Sequence, residues 1–352
     1  MRQWEAAVRR VTPYTPGEQP RQENVVKLNT NENPYPPAPG VEEALRELDA
    51  ERMRLYPDPA ASALVKALAE YHGLQQEQVF AGVGSDDVLA MCFLTFFCGG
   101  RPILFPDITY SFYDVWADML RIPYETQPLD ENFRIRPEDY MRGNGGIVFP
   151  NPNAPTGVEL GQDKIARILA ANPDSLVIVD EAYVDFGAES ALPLLEKYEN
   201  LIVVRTFSKS RSLAGMRIGY ACASETIIRY LNDVKYSFNS YTMDYPSIVL
   251  GMESVRDEAY FKETIGRIIE TRERTKRELA ALGFCFPDSK SNFIFASHKS
   301  CPAKKLFEEL RAQGIYVRYF AKPRIDNYIR ITVGTDAQMN IFLKAVKDIL
   351  EG

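Results

Sequence analysis

Five short apolar runs constrain this fold more than any other feature: Pro102–Phe105, Ile147–Phe149, Leu176–Val179, Leu201–Val204 and Ile218–Cys222. Each is brief, partly β-branched and apolar at successive positions, so both of its faces would be buried. Strands of that kind belong inside a parallel sheet covered on both sides. Helical stretches such as Asp163–Ala171 lie between some of the runs. The expected class is therefore α/β, with a mostly parallel central sheet between helices. Two helical patterns precede the first run. One carries Val41, Ala44, Leu45 and Leu48; the other carries Leu64, Val65, Leu68 and Ala69 and stops at Gly73.

The pattern changes near Asp257. A long charged helix is expected to Leu282, closed by Gly283. A strand near Asn292–Ala296, a helix from Pro302 to Gln313 and strands at Ile315–Arg318 and Tyr328–Val333 follow. A last helix carries Met339, Phe342, Val346, Ile349 and Leu350. This reads as a smaller α+β domain. Ahead of everything lies a stretch interrupted by Pro13, Pro16, Pro20, Pro34, Pro36, Pro37 and Pro39, which disfavours a long helix. It reads as an extended arm that must lie on something else to be ordered. The expected division is an arm over 1–40, packing on the small domain or a partner subunit, a large domain over 41–250 and a small domain over 251–352. A chain of 352 residues can supply two such cores.

Composition narrows the function. A net charge of -7 gives no basic footprint for nucleic acid. No run is long and apolar enough to span a bilayer, and Met1 to Arg10 is polar, without a signal segment. Five scattered cysteines and only two histidines, His72 and His298, argue against a zinc site and for reduced thiols. The expectation is a cytoplasmic enzyme or binding protein without a metal.

Three polar residues follow three of the apolar runs: Asn153, Asp180 and Lys209. If the strands are parallel, all three reach the edge where ligands bind in such sheets. Singly, an Asp after a strand reads as a turn or cap, and a lysine as a solvated charge. Together they suit pyridoxal phosphate. A lysine amine condenses with the cofactor aldehyde. A carboxylate beside the pyridine nitrogen keeps the ring an electron acceptor. An amide and a phenol can hold the ring hydroxyl, and Tyr183 is placed to be that phenol.

At this point the residues reach a resemblance. Thr206-Phe-Ser-Lys-Ser-Arg-Ser-Leu-Ala-Gly-Met-Arg217 resembles the lysine signature of fold-type I aminotransferases. Asn151-Pro-Asn-Ala-Pro-Thr-Gly157 and Val179-Asp-Glu-Ala-Tyr-Val-Asp-Phe186 resemble two further blocks. Leu28-Asn-Thr-Asn-Glu-Asn-Pro34, Leu55-Tyr-Pro-Asp58 and Tyr328-Ile-Arg-Ile-Thr-Val-Gly334 are similar, more narrowly, to the histidinol-phosphate aminotransferase family. The blocks span nearly the whole chain.

The resemblance implies roles. Lys209 would carry the cofactor covalently and shuttle a proton between substrate and cofactor carbons. Asp180 would pair with the ring nitrogen, Tyr183 would hydrogen-bond the ring oxygen, and Tyr110 would stack on the ring. The family usually has Asn directly before Pro-Thr-Gly, whereas this chain has Ala154; Asn153 becomes the expected ring-oxygen amide, with Asn151 as the alternative. For the phosphate, Gly84-Ser85-Asp86 precedes an apolar helix, and amides at a helix N-terminus suit an anion. A plain N-cap there is compatible with that role. Ser208 and Arg217, with Thr206 as a weaker candidate, would complete the cup. Tyr56 matches a tyrosine that reaches the phosphate from the neighbouring subunit, which implies a homodimer with shared sites.

At the substrate end, Arg330 matches an anion-binding arginine, whose planar guanidinium suits a carboxylate or phosphate. Arg318, Tyr14 and Asn239 are weaker substrate candidates. The implied reaction passes the amino group of L-histidinol phosphate to 2-oxoglutarate, giving imidazole acetol phosphate and L-glutamate. The alternatives are an aromatic amino-acid aminotransferase and a phosphothreonine decarboxylase on the same fold. A cofactor-binding regulator would want an added DNA-binding domain, for which there is no room before Leu28. A nucleotide-dependent dehydrogenase would want a Gly-x-Gly-x-x-Gly turn, and none is found.

Overall fold

The computed structural model describes residues 2–20, 22 and 24–352; positions 1, 21 and 23 of the expected arm lie outside them. In the arm are a single helical turn α1 (Gln3–Ala6) and a two-residue strand β1 (Val26–Lys27). The large layer then runs α2 (Pro39–Arg46), α3 (Ser62–His72), β2 (Val79–Gly82), α4 (Gly84–Phe96), β3 (Ile103–Pro106), α5 (Tyr113–Leu120) and β4 (Tyr124–Gln127). It continues through β5 (Ile147–Pro150), α6 (Gln162–Ala171), β6 (Val177–Asp180), β7 (Leu201–Thr206), β8 (Gly219–Ala223), α7 (Glu225–Phe238) and α8 (Tyr245–Arg256). The rest comprises α9 (Glu258–Ala281), β9 (Phe284–Cys285), β10 (Phe293–His298), α10 (Ala303–Ala312), β11 (Ile315–Tyr316), β12 (Arg318–Tyr319), β13 (Ile329–Thr332) and α11 (Asp336–Glu351).

Among the described residues, seven strands form the main sheet in the order β2-β8-β7-β6-β5-β3-β4. The strands β4, β3, β5, β6 and β7 are parallel. Both faces of the central strands are covered, as their composition requires. Val148, Ile178, Ile202 and Val204 meet a core built with α4, α5 and α7. Their neighbours Ile147, Phe149, Val177, Val179, Leu201 and Val203 meet a second core that includes α6. This two-position alternation is the pleat of a strand, with a hydrophobic layer on each side.

The structure corrects three points of the sequence reading. The run at Ile218–Cys222 is not parallel: β8 is antiparallel to both β7 and β2. The run expected at Ile315–Arg318 is split. Ile315 and Tyr316 pair with the arm strand β1, whereas Arg318 and Tyr319 pair with β13. Finally, a division at 250/251 cuts through α8, which packs on α2 and α3. That helix ends only at Arg256, and the chain turns at Asp257, whose side chain accepts from the Tyr260 N–H to start α9.

The smaller layer has the four-stranded order β12-β13-β10-β9. Its core also receives Val26 and Leu28 from the arm, and Tyr183 and Phe186 from the large layer. No helix among the described residues is long and apolar enough to cross a membrane.

Candidate active site

The parallel register of β5, β6 and β7 brings Pro150 opposite Asp180 and Asp180 opposite Val204. The chain segments carrying Asp180 and Lys209 therefore leave the sheet at one edge, on adjacent strands. A buried ion pair fixes this edge. Arg205 reaches Glu181 at 2.8 Å and Asp185 at 3.5 Å. Asp185 accepts from Ser210 Oγ at 2.6 Å, and Asn33 Nδ2 donates to the Ser210 carbonyl at 3.0 Å. The residue after Lys209 is thus held from two sides.

Lys209 lies in a cavity of about 150 Å³ whose wall includes Tyr183, Tyr110, Ala154, Arg330 and Thr30. Its Nζ donates to the Thr30 carbonyl at 3.1 Å and sits 5.9 Å from the centre of the Tyr183 ring. Asp180 is buried at the end of β6. It accepts from the Tyr113 hydroxyl at 3.0 Å and from the Ala182 N–H at 3.2 Å, and no cation pairs with it among the described residues. Burial pushes its carboxyl up to about 7. A deeply buried carboxyl without a cation is the environment that a protonated ring nitrogen would complete.

The expected phosphate residues also assemble. Arg217 Nη2 pairs with Asp86 at 2.9 Å, and its Nη1 lies 3.4 Å from Ser208 Oγ. Thr206 Oγ1 donates to Ser208 Oγ at 3.0 Å and so braces the cup. The Tyr110 hydroxyl donates to Asp86 at 2.7 Å; burial, then the Asp86 charge, holds this phenol protonated well above its ordinary range. Gly84 has φ +81°, and a Cβ there would lie 2.6 Å from Arg217 Nη2. A Cβ on Gly219 would lie 2.3 Å from Ser85 N. The N-terminus of α4 and the start of β8 approach this closely only because both positions are glycine.

At the other end, Arg330 Nη2 donates to the Asn29 carbonyl at 3.0 Å, while its buried Nε has no partner. Its guanidinium lies 5.3 Å from the Phe293 ring centre and 5.6 Å from that of Phe320. Burial, and secondarily the Arg318 charge, holds it below its ordinary pKa. No carboxylate forms an ion pair with it among the described residues, so an anion is wanted here. Arg318 and Tyr14 line the same cavity, which shares these walls with an outer cavity of about 540 Å³.

Four further site candidates lie outside the wall of this cavity. Asn153 does not offer its amide to the cavity: Nδ2 donates to the Ile108 carbonyl at 2.9 Å and to Thr156 Oγ1 at 3.1 Å, and Oδ1 accepts from Thr109 at 3.0 Å. Both amide hydrogens are spent on the two loops that carry Ile108 and Thr156, and Ala154 lines the cavity instead. Asn151, the alternative, keeps a buried Nδ2 without a partner among the described residues. It is fully buried, its Oδ1 accepts from the Leu160 N–H at 2.7 Å, and it does not line the cavity. Asn239 is exposed at the end of α7 and is not part of the cavity wall. Tyr56 is 82% exposed and stacks on Tyr241 with ring centres 4.6 Å apart, away from its own cavity. Sequence reasoning also missed Tyr113, which carries no signal beyond its spacing from Tyr110. The same holds for Asn29, Thr30 and Asn31, which it placed in a motif without a role.

Comparison with known proteins shows the family. A family model described as aminotransferase class I and II matches residues 23–346. The chain is 50% identical over 342 residues to a histidinol-phosphate aminotransferase of Brachyspira hyodysenteriae, covering 97% of each. It is 51% identical over 346 residues to one of Chromohalobacter salexigens, covering 98% of each. The crystal structure of histidinol-phosphate aminotransferase from Sinorhizobium meliloti in complex with pyridoxal-5'-phosphate superposes with a TM-score of 0.85 at 24% identity. That match covers 92% of this chain and 90% of the other, and shows a shared fold. The lysine, the buried carboxyl and the anion cup thus stand on the scaffold of known aminotransferases, and the chain belongs to the class I and II aminotransferase family, among the histidinol-phosphate aminotransferases.

Proposed function

We propose that this chain transfers the amino group of L-histidinol phosphate to 2-oxoglutarate, giving imidazole acetol phosphate and L-glutamate, with pyridoxal phosphate held covalently by Lys209. Pyridoxal phosphate is the cofactor and transamination is the reaction. The observation that carries the assignment of residues is the cavity that joins the Lys209 amine, the Tyr183 phenol and the unpaired Arg330 guanidinium. The substrate follows from the relatives at half identity over nearly the full length.

Bound pyridoxal phosphate supplies an aldehyde that exchanges with amines and a cationic ring that withdraws electrons from the substrate carbon. Asp180 keeps the ring nitrogen protonated. Amides of Gly84, Ser85 and Asp86, with Ser208 and Arg217, hold the phosphate. Tyr110 would cover the ring and Tyr183 would donate to its oxygen. Lys209 would be the base that carries a proton between substrate and cofactor carbons. Arg330 receives the substrate anion: the phosphate of histidinol phosphate in one half-reaction, the carboxylate of glutamate in the other. Arg318 and Tyr14 border the same space. We further propose a cytoplasmic homodimer in which the exposed Tyr56 completes the partner's phosphate cup; the five unpaired thiols support a reducing compartment.

The test is a half-reaction. The loaded enzyme is mixed with histidinol phosphate, phenylalanine or phosphothreonine while cofactor absorbance is followed, and glutamate is assayed after 2-oxoglutarate is added. Histidinol phosphate should convert the cofactor fastest and yield glutamate. Conversion by phenylalanine alone overturns the assignment. The variant Lys209→Ala should lose both the covalent absorbance band and the activity.

A further inference from the structure

We propose that Asn31, from the arm, is the positioning residue for the Tyr183 phenol, and that it compensates for the alanine at position 154. The inference rests on the cofactor-binding reading above and deepens it.

The cofactor's ring oxygen was expected to receive an amide and a phenol. In the loop from Asn151 to Gly157, Ala154 presents a methyl group to the cavity, both hydrogens of the Asn153 amide are spent elsewhere, and Asn151, whose Nδ2 has no partner, is not part of the cavity wall. Tyr183 is then the principal donor, and the direction of its hydroxyl matters more. A phenol hydrogen turns toward whichever neighbour accepts it. Beside an acceptor it would be lost to the protein; beside a donor, only the oxygen lone pair is used and the hydrogen stays free.

Asn31 is that donor. Its Nδ2 lies 2.9 Å from Tyr183 Oη. The amide orientation is fixed by its surroundings, which is how such orientations are assigned. Thr332 Oγ1 accepts from the Asn31 backbone N–H at 3.0 Å and donates its own hydrogen to Asn31 Oδ1 at 3.0 Å. The oxygen end of the amide is thereby committed to Thr332, and the nitrogen end faces the phenol. Asn292 Nδ2 donates to the Asn31 carbonyl at 2.9 Å. Asn31, Thr332 and Asn292 are buried, and Asn31 has φ +57°, a conformation asparagine tolerates well. The Tyr183 ring is held edge-on against Phe293, with centres 5.1 Å apart.

A donor held on the ring oxygen weakens that oxygen as an acceptor. With the cofactor bound at Lys209, such a donor would lower the pH at which the bound group gives up its proton. The readout is the midpoint of the pH-dependent absorbance change of the substrate-free holoenzyme. In Asn31→Gly, which accepts the left-handed backbone, the midpoint should rise by about one pH unit. In a Tyr183→Phe background the same substitution should add little, because it acts through the missing hydroxyl. A loaded Asn31→Gly with the parent midpoint overturns the inference, as does a full additional shift in the Tyr183→Phe background. Should Asn31→Gly not fold, Asn31→Asp takes its place: it keeps the shape but draws the phenol hydrogen to a carboxylate. Its midpoint must also rise, and an unmoved midpoint overturns the inference equally. Absence of any covalent absorbance band in the parent enzyme would instead refute the Lys209 reading.

Discussion

Asp180 is the residue whose environment is most unlike water. Its carboxyl is raised from 3.8 to about 7 by burial, so the folded chain binds that proton more tightly than the unfolded chain does. The resulting stability is present in acid and is lost as pH rises through about 7. Cofactor-free protein should therefore become less stable across this window, and Asp180→Asn should flatten the dependence; thermal unfolding against pH measures both. Arg330 presents the opposite case, a cation awaiting an anion. Arg330→Ala should slow both half-reactions, each by about 100-fold or more for a lost charge-assisted contact with a desolvated anion; single-turnover rates with each substrate measure it. At this scale the sequence disclosed residues whose position alone defines their role. Lys209 and Asp180 follow strands, and strand ends converge. The orientation of Asn153 was hidden because its partners Ile108 and Thr156 lie on two different loops, after β3 and after β5, whose paths no periodicity encodes. Asn31 was seen without a role because its partners are some 150 and 300 positions away.

Among the elements, β7 and β8 do most to shape the site. Because β8 runs antiparallel, its beginning, not its end, lies at the ligand edge. One connection therefore delivers both Lys209 and Arg217. Gly219 permits contact with α4, and Gly219→Ala should push the two apart and weaken cofactor retention, measurable as a higher dissociation constant for pyridoxal phosphate with little loss of helix content. Glu181→Ala should leave Arg205 buried without its main partner, at a cost of about 3–5 kcal/mol in denaturant unfolding. Strands buried on both faces were legible from composition. The edge strand β4 was not, because Tyr124, Glu125 and Thr126 are exposed and read as loop. The direction of β8 was also hidden, since an apolar run has no intrinsic polarity.

For the whole molecule, subunit mixing tests whether sites are shared. If Tyr56 serves its partner, combining Lys209→Ala with Tyr56→Ala should regenerate one intact site per hybrid, about a quarter of parental sites for random pairing. No regain of activity on mixing would place Tyr56 outside the neighbour's site. The arm adds a second long-range constraint. Asn29 touches Arg330, Thr30 touches Lys209 and Asn31 touches Tyr183, three consecutive residues meeting three functional side chains. The strand upstream that sets their position pairs over only Val26 and Lys27. Length, more than chemistry, is therefore the sensitive variable of this stretch: a single inserted residue after Lys27 would dislodge all three contacts together, like a key cut one notch out of step.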